Sequence, residues 1–148
     1  MSLDKLKEYL KVAMKGRDEF ATGVLRMLVA ALHNVAIEKR AKVGSGELTD
    51  DEVLIVLQRE AKKRREAAVL FEKGNRPELK ERELKEADFI ERYLPKQLGE
   101  KEIEEIVAKV LASGLAGYSS VMREVMKDVK GRARGNVVSG IIKKHLGQ

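Results

Sequence analysis

From Leu3 to the last turn of the chain, apolar residues recur at intervals of three and four, and no segment sustains alternation at two. That spacing lines side chains along one stripe of a helix, whereas a half-buried strand needs period two. The expected fold class is therefore all-α. Leu3, Leu6, Leu10 and Ala13 mark a first helix that ends at Lys15-Gly16. Asp18 caps a second one carrying Leu25, Leu28, Val29, Leu32, Val35 and Ala36, which runs out near Lys42 before the loop Val43-Gly44-Ser45-Gly46-Glu47. Leu48-Thr49-Asp50-Asp51-Glu52-Val53 is a full start signal. Thr49 caps, Glu52 reaches back to it, and Leu48 staples against Val53.

The third helix continues through Leu57, Ala61, Ala68 and Phe71 to Lys73-Gly74. Asn75-Arg76-Pro77 opens a fourth, because proline fits a first turn that has no use for its missing N–H. Pro95 ends that helix at Leu94. Gly99 to Ile103 repeats the start signal with glycine as the cap, for a fifth helix burying Ile103, Ile106, Val107, Val110 and Leu111. A sixth runs from about Ser119 with Met122, Val125, Met126 and Val129 inside. After a turn at Gly131–Gly135, a seventh carries Val138, Ile141, Ile142 and His145 or Leu146. The expected architecture is about seven helices: a four-helix N-terminal domain, 1–94, and a small three-helix tail domain, 95–148.

Composition narrows the chemistry. With no cysteine and only His33 and His145, disulfides, thiolate nucleophiles and a histidine-rich metal site are excluded. No P-loop and no dinucleotide fingerprint occurs, and serines lack the setting of a nucleophile elbow. No catalytic residue, cofactor or metal is expected. Gly114-Leu115-Ala116-Gly117 matches the backbone clamp of KH domains only in letters, since that module needs a sheet. No run approaches 18 apolar residues and the N-terminus lacks an apolar signal core, so the expectation is a cytoplasmic protein with no membrane partner.

Charge is uneven along the chain. Basic residues exceed acidic ones by 30 − 24 = 6, and residues 117–148 alone contribute 7 − 2 = +5. Such an excess attracts polyanions. Gly131-Arg132-Ala133-Arg134-Gly135 places two arginines at a turn that opens a helix, where free N–H groups and the helix dipole favour phosphate. Arg123, Lys127 and Lys130 fall at i, i+4 and i+7 on one face of the preceding helix, opposite the Met/Val stripe. With Asn136, Lys143 and Lys144 they form the candidate RNA-binding set. The plainer reading is a solvated face between two glycine-ended helices. Two further stretches read as structural: Lys62-Lys63-Arg64-Arg65-Glu66 as a solvated surface that cannot form one patch of four, and Arg26, His33 and Arg40, which share a stripe with Ala30 and Ile37, as a polar seam between helices in preference to a binding stripe.

Leu25-Arg26-Met27-Leu28, Ala31-Leu32-His33-Asn34 and Ile37-Glu38-Lys39-Arg40 together resemble the signature helix of the GatB/YqeY family. Leu48 to Val53, Arg64-Arg65-Glu66, Gly74 to Leu79, Tyr93 to Leu98, Met126 and Gly131 to Asn136 continue the resemblance in order. It implies a free-standing YqeY-like protein, similar to the C-terminal helical and tail region of the tRNA-dependent Asp/Glu amidotransferase B subunit. In that family the tail contacts the tRNA elbow, while ATP-dependent activation and ammonia release belong to other parts of the enzyme. Arg123 and Arg134 depart from the family pattern, which has glycine and aspartate nearby, so the tail is more basic than the pattern requires.

The function expected from these readings is a non-catalytic accessory module for tRNA or another structured RNA. Contacts to about four to six phosphates give a log–log salt slope near −4 to −5. The alternative is a protein-interaction module docking on an aminoacyl-tRNA synthetase or amidotransferase subunit. Least favoured is carbon–nitrogen ligase or amidase activity with glutamine as amido donor, because the nucleophile constellation is missing.

Overall fold

Seven α-helices form among the described residues, 1–129 and 131–147, of the computed structural model: α1 (Leu3–Lys15), α2 (Glu19–Val43), α3 (Asp50–Lys73), α4 (Pro77–Glu91), α5 (Glu100–Ala112), α6 (Tyr118–Val129) and α7 (Gly135–His145). The starts follow the capping chemistry of the sequence. Ser2 Oγ accepts from the Lys5 N–H at 3.2 Å, and Asp18 Oδ1 from the Ala21 N–H at 3.0 Å. At α3 the box is reciprocal: Thr49 Oγ1 accepts from the Glu52 N–H at 3.1 Å while Glu52 Oε2 takes the Thr49 N–H at 2.8 Å. Lys39 Nζ reaches across from α2 to the same carboxylate at 2.8 Å and to the Glu47 carbonyl at 2.6 Å. The hydrogen bond from Lys39, followed by that from the Thr49 backbone, holds the Glu52 carboxyl below its ordinary range. At α5 only half of the box exists, the Gly99 N–H donating to Glu102 Oε2 at 2.9 Å, since glycine has no oxygen to return.

The ends hold a surprise. Gly16 and Gly74 close α1 and α3 at negative φ, and the left-handed position falls on the next residue, Arg17 and Asn75, both at φ 55°. The Asp18 N–H then reaches the Ala13 carbonyl at 3.0 Å, and the Arg76 N–H the Phe71 carbonyl at 2.8 Å. These are Schellman-type closures. Asparagine tolerates the conformation; arginine has no local compensation for it. Helix α4 ends at Glu91 rather than at Leu94. Three successive i→i−3 bonds, from Arg92, Tyr93 and Leu94, tighten its last turn because the residue before a proline is pushed out of the helical region.

Two compact units divide at Leu94 and Pro95. In the first, α1 pairs with α2 and α3 with α4 around Leu6, Leu25, Leu28, Leu32, Val53, Leu57 and Ile90. In the second, α5, α6 and α7 enclose Ile103, Val107, Val121, Val125, Val129, Val138 and Ile142. Leu146 packs against that core, whereas His145 is exposed with Nδ1 3.0 Å from the Ile141 carbonyl.

Two expectations are corrected. Arg26, His33 and Arg40 do not form a seam between helices; all three are exposed on the outer side of α2, whose opposite side carries Leu25, Leu28 and Leu32 into the core. By length and composition α2 is apolar enough to cross a bilayer, although no continuous apolar run announces it, and only 28% of that stretch is buried. The run Lys62 to Glu66 is not uniformly solvated either. Arg64 is only 5% exposed, with Nη1 2.8 Å from Glu60 Oε2, Nε 3.2 Å from Glu86 Oε2 and Nη2 3.8 Å from Met27 Sδ. Its neighbour Arg65 turns to Glu91 and Asp88 on α4, at 2.7 and 2.9 Å. The close α3–α4 pairing decides this, because it supplies carboxylates that sequence order does not place nearby.

Candidate nucleic-acid interface

Helices α6 and α7 form an antiparallel hairpin. The Tyr118 hydroxyl, in the first turn of α6, lies 2.6 Å from Ser139 Oγ, and Lys143 Nζ stands 5.6 Å from the Tyr118 ring centroid. The start of α6 therefore faces the stretch of α7 from Ser139 to Lys143. The other end of the hairpin holds Lys127, Arg132, Arg134 and Asn136, while Lys143 and Lys144 stand about 12 Å further along α7, at ~1.5 Å per residue.

The candidate residues differ in what they are free to do. Arg123 and Lys127 are exposed on the face of α6 opposite Val121, Val125 and Val129, as their spacing predicts. Lys127 also meets Glu124 at 3.1 Å, an exposed pair worth little in water. Arg134 is the N-cap of α7, exposed, and gives the helix no side-chain cap. Its backbone carbonyl accepts from Val137 and Val138, leaving the guanidinium without a partner among the described residues. Asn136 is exposed and its Oδ1 takes the Val137 N–H at 3.0 Å. Lys144 is exposed without a partner among the described residues, on the flank of α7 away from Lys143. Lys130 lies outside the described residues.

Arg132 has a second task. Its Nε donates to the Lys96 carbonyl at 3.1 Å, and its own carbonyl accepts the Leu98 N–H at 2.7 Å. It thereby fastens the segment entering α5 to the α6–α7 turn. Spacing could not reveal this, because the partners lie 36 residues away. The available cations thus form two groups at opposite ends of the hairpin, with Arg123 between them along α6. They suit an extended polyanion better than a single small anion.

Neither of the two best-formed depressions offers a competing enclosed site. The larger, about 480 Å³, is open and bordered by Glu19, Phe20, Glu78, Glu81, Arg82 and Lys85 of the first unit. No set of three or more His, Asp or Glu side chains among the described residues is arranged to hold a metal ion.

Fold and surface together define a two-unit, all-α protein with a basic helical hairpin in its C-terminal unit. The chain belongs to the Yqey-like protein family, whose model matches residues 3–146. It is also 28% identical over 137 residues to "Altered inheritance of mitochondria protein 41, mitochondrial" of Pyrenophora tritici-repentis (strain Pt-1C-BFP), a match covering 88% of this chain and 72% of that protein.

Proposed function

We propose that this protein is a non-catalytic RNA-binding module, with tRNA as its most fitting ligand, acting in the cytoplasm through the α6–α7 hairpin. The carrying observation is the guanidinium of Arg134, without a partner among the described residues at the start of α7, together with exposed Arg123, Lys127 and Lys144 on the same hairpin. Helix N-termini and arginine forks both favour phosphate oxygens. With six aromatic residues in the chain, base stacking has little to work with, so phosphate position and helical shape carry recognition. Resemblance to the tail of the amidotransferase B subunit favours tRNA over other structured RNAs.

The four cations Arg123, Lys127, Arg134 and Lys144 by themselves correspond to a log Kobs–log salt slope of about −3 to −4. The testing variant is Arg123→Glu with Arg134→Glu, which spares Arg132 and its grip on Lys96. Binding of unfractionated tRNA, followed by fluorescence anisotropy against salt, should fall at least ~100-fold in this variant, with the far-UV spectrum unchanged. Equal binding by wild type and variant, or a flat salt dependence, refutes the reading.

A further inference from the structure

The outer face of α2 carries a pattern the proposed RNA-binding function does not use. Gly23, Arg26, Ala30, His33, Ile37 and Arg40 follow one another at spacings of three, four, three, four and three. All six are exposed, Ile37 at 68%. Small or apolar residues occupy one seam position and basic residues the other, along ~26 Å of helix at about 1.5 Å per residue. A 3–4 spacing is the geometry in which one helix packs along another. Neither arginine nor the histidine finds a partner among the described residues, although arginines on α3 are ion-paired. Exposed Met27, Asn34, Glu38 and Ala41 flank the seam on one side, so a single carboxylate, Glu38, stands beside it.

We propose that this face is a docking seam for an acidic amphipathic helix of another protein. Such a helix presents apolar side chains to Gly23, Ala30 and Ile37, where small residues permit close approach, and carboxylates to Arg26, His33 and Arg40. The partner's charge follows from complementarity, since each guanidinium brought under a packed helix needs an acceptor as it loses water. A second copy of this chain supplies only one acceptor, exposed Glu19, which continues the spacing four residues before Gly23. A parallel pairing sets arginine on arginine, and the antiparallel one that brings Glu19 to Arg40 leaves Arg26 facing His33 with no carboxylate. A lipid bilayer fits no better, because the guanidinium of Arg26 and the polar ring of His33 lie well inside the helix, where hydrocarbon accepts charged and polar groups poorly. RNA is disfavoured by the apolar residues separating the cations and by the lack of an aromatic side chain on the seam.

The test uses the full chain and a fluorescein-labelled 21-residue helical peptide with leucine and glutamate at alternate positions of a 3–4 seam. Wild type should bind it. Arg26→Glu with Arg40→Glu should weaken binding at least ~tenfold without loss of helicity, and should gain affinity for the matching leucine/lysine peptide. This double variant should keep tRNA binding, so failure here and failure of the RNA reading are separable. The proposal is overturned by absence of peptide binding or by equal binding of the glutamate and lysine peptides to wild type. It is equally overturned if the α2 variant loses tRNA, if wild type binds neutral phosphatidylcholine vesicles through this face, or if Ile37→Glu dissolves a self-assembled dimer.

Discussion

Replacing Arg64 by methionine tests how the first unit is held together. The side chain is 6% exposed and faces Glu60 and Glu86, themselves 14% and 12% exposed. Methionine keeps much of the apolar stem against Met27 but removes four contacts: to both Glu60 oxygens (one backbone, one side chain), to Glu86 and to Met27 sulfur. Two half-buried carboxylates then remain near each other with their shared cation gone. Breaking a buried pair in this way typically costs about 3–5 kcal/mol. Lys63 at 3.4 Å from Glu60 and Arg82 at 3.6 Å from Glu86 can take over part of the neutralisation, which argues for the lower end, near 3 kcal/mol. Urea unfolding read by circular dichroism, with hydrogen exchange on α3 and α4 peptides to isolate the first unit, measures the loss. Converting all three residues, Glu60→Leu, Arg64→Met and Glu86→Leu, should recover most of it, since apolar replacement of a whole buried network is often neutral.

The pH dependence has a defined sign. Burial opposes the charge on Glu60, but the Arg64 hydrogen bond and the Lys63 and Arg64 charges outweigh it and hold the carboxyl below its ordinary 4.5. A depressed folded-state pKa gives stability that is present above the unfolded value and lost as pH falls through the folded one. The gap between wild type and Arg64→Met should therefore be widest above pH 4.5 and narrow below it. A loss under ~1 kcal/mol, or a triple variant no more stable than the single one, refutes the reasoning.

Three further outcomes are expected. Thr49→Ala removes half of the α3 capping box and should cost about 1 kcal/mol in the same urea assay. Arg17→Gly relieves a left-handed arginine and should stabilise the first unit by about 0.5–1 kcal/mol, the gain being trimmed by the greater unfolded-state freedom of glycine. Ile103→Ala empties a 1% exposed position in the smaller core and should cost about 2–5 kcal/mol. Because that unit is small, exchange protection should collapse in α5–α7 while α1–α4 stay protected.

The sequence by itself determined the helices, because helix formation and capping are decided within a few residues. Thr49 with Glu52, Asp18, Ser2 and Pro77 act on N–H groups within one turn, and the apolar stripes fix which side of each helix seeks burial. The exposure of Arg123, Lys127 and Arg134 was also legible, since each lies off the stripe or in the turn between stripes. Tertiary structure decided the rest, wherever a side chain's partner comes from a distant element. Arg64 and Arg65 stand side by side in sequence, yet only Arg64 is buried, because α4 brings Glu86 to one and Glu91 to the other. Arg132 looks like a free phosphate ligand until the Lys96 carbonyl is found beside it. On α2 the apolar pattern extends to two sides, and periodicity cannot say which side the other helices will cover. Packing chose the leucine side, and left a basic, heptad-spaced seam facing water.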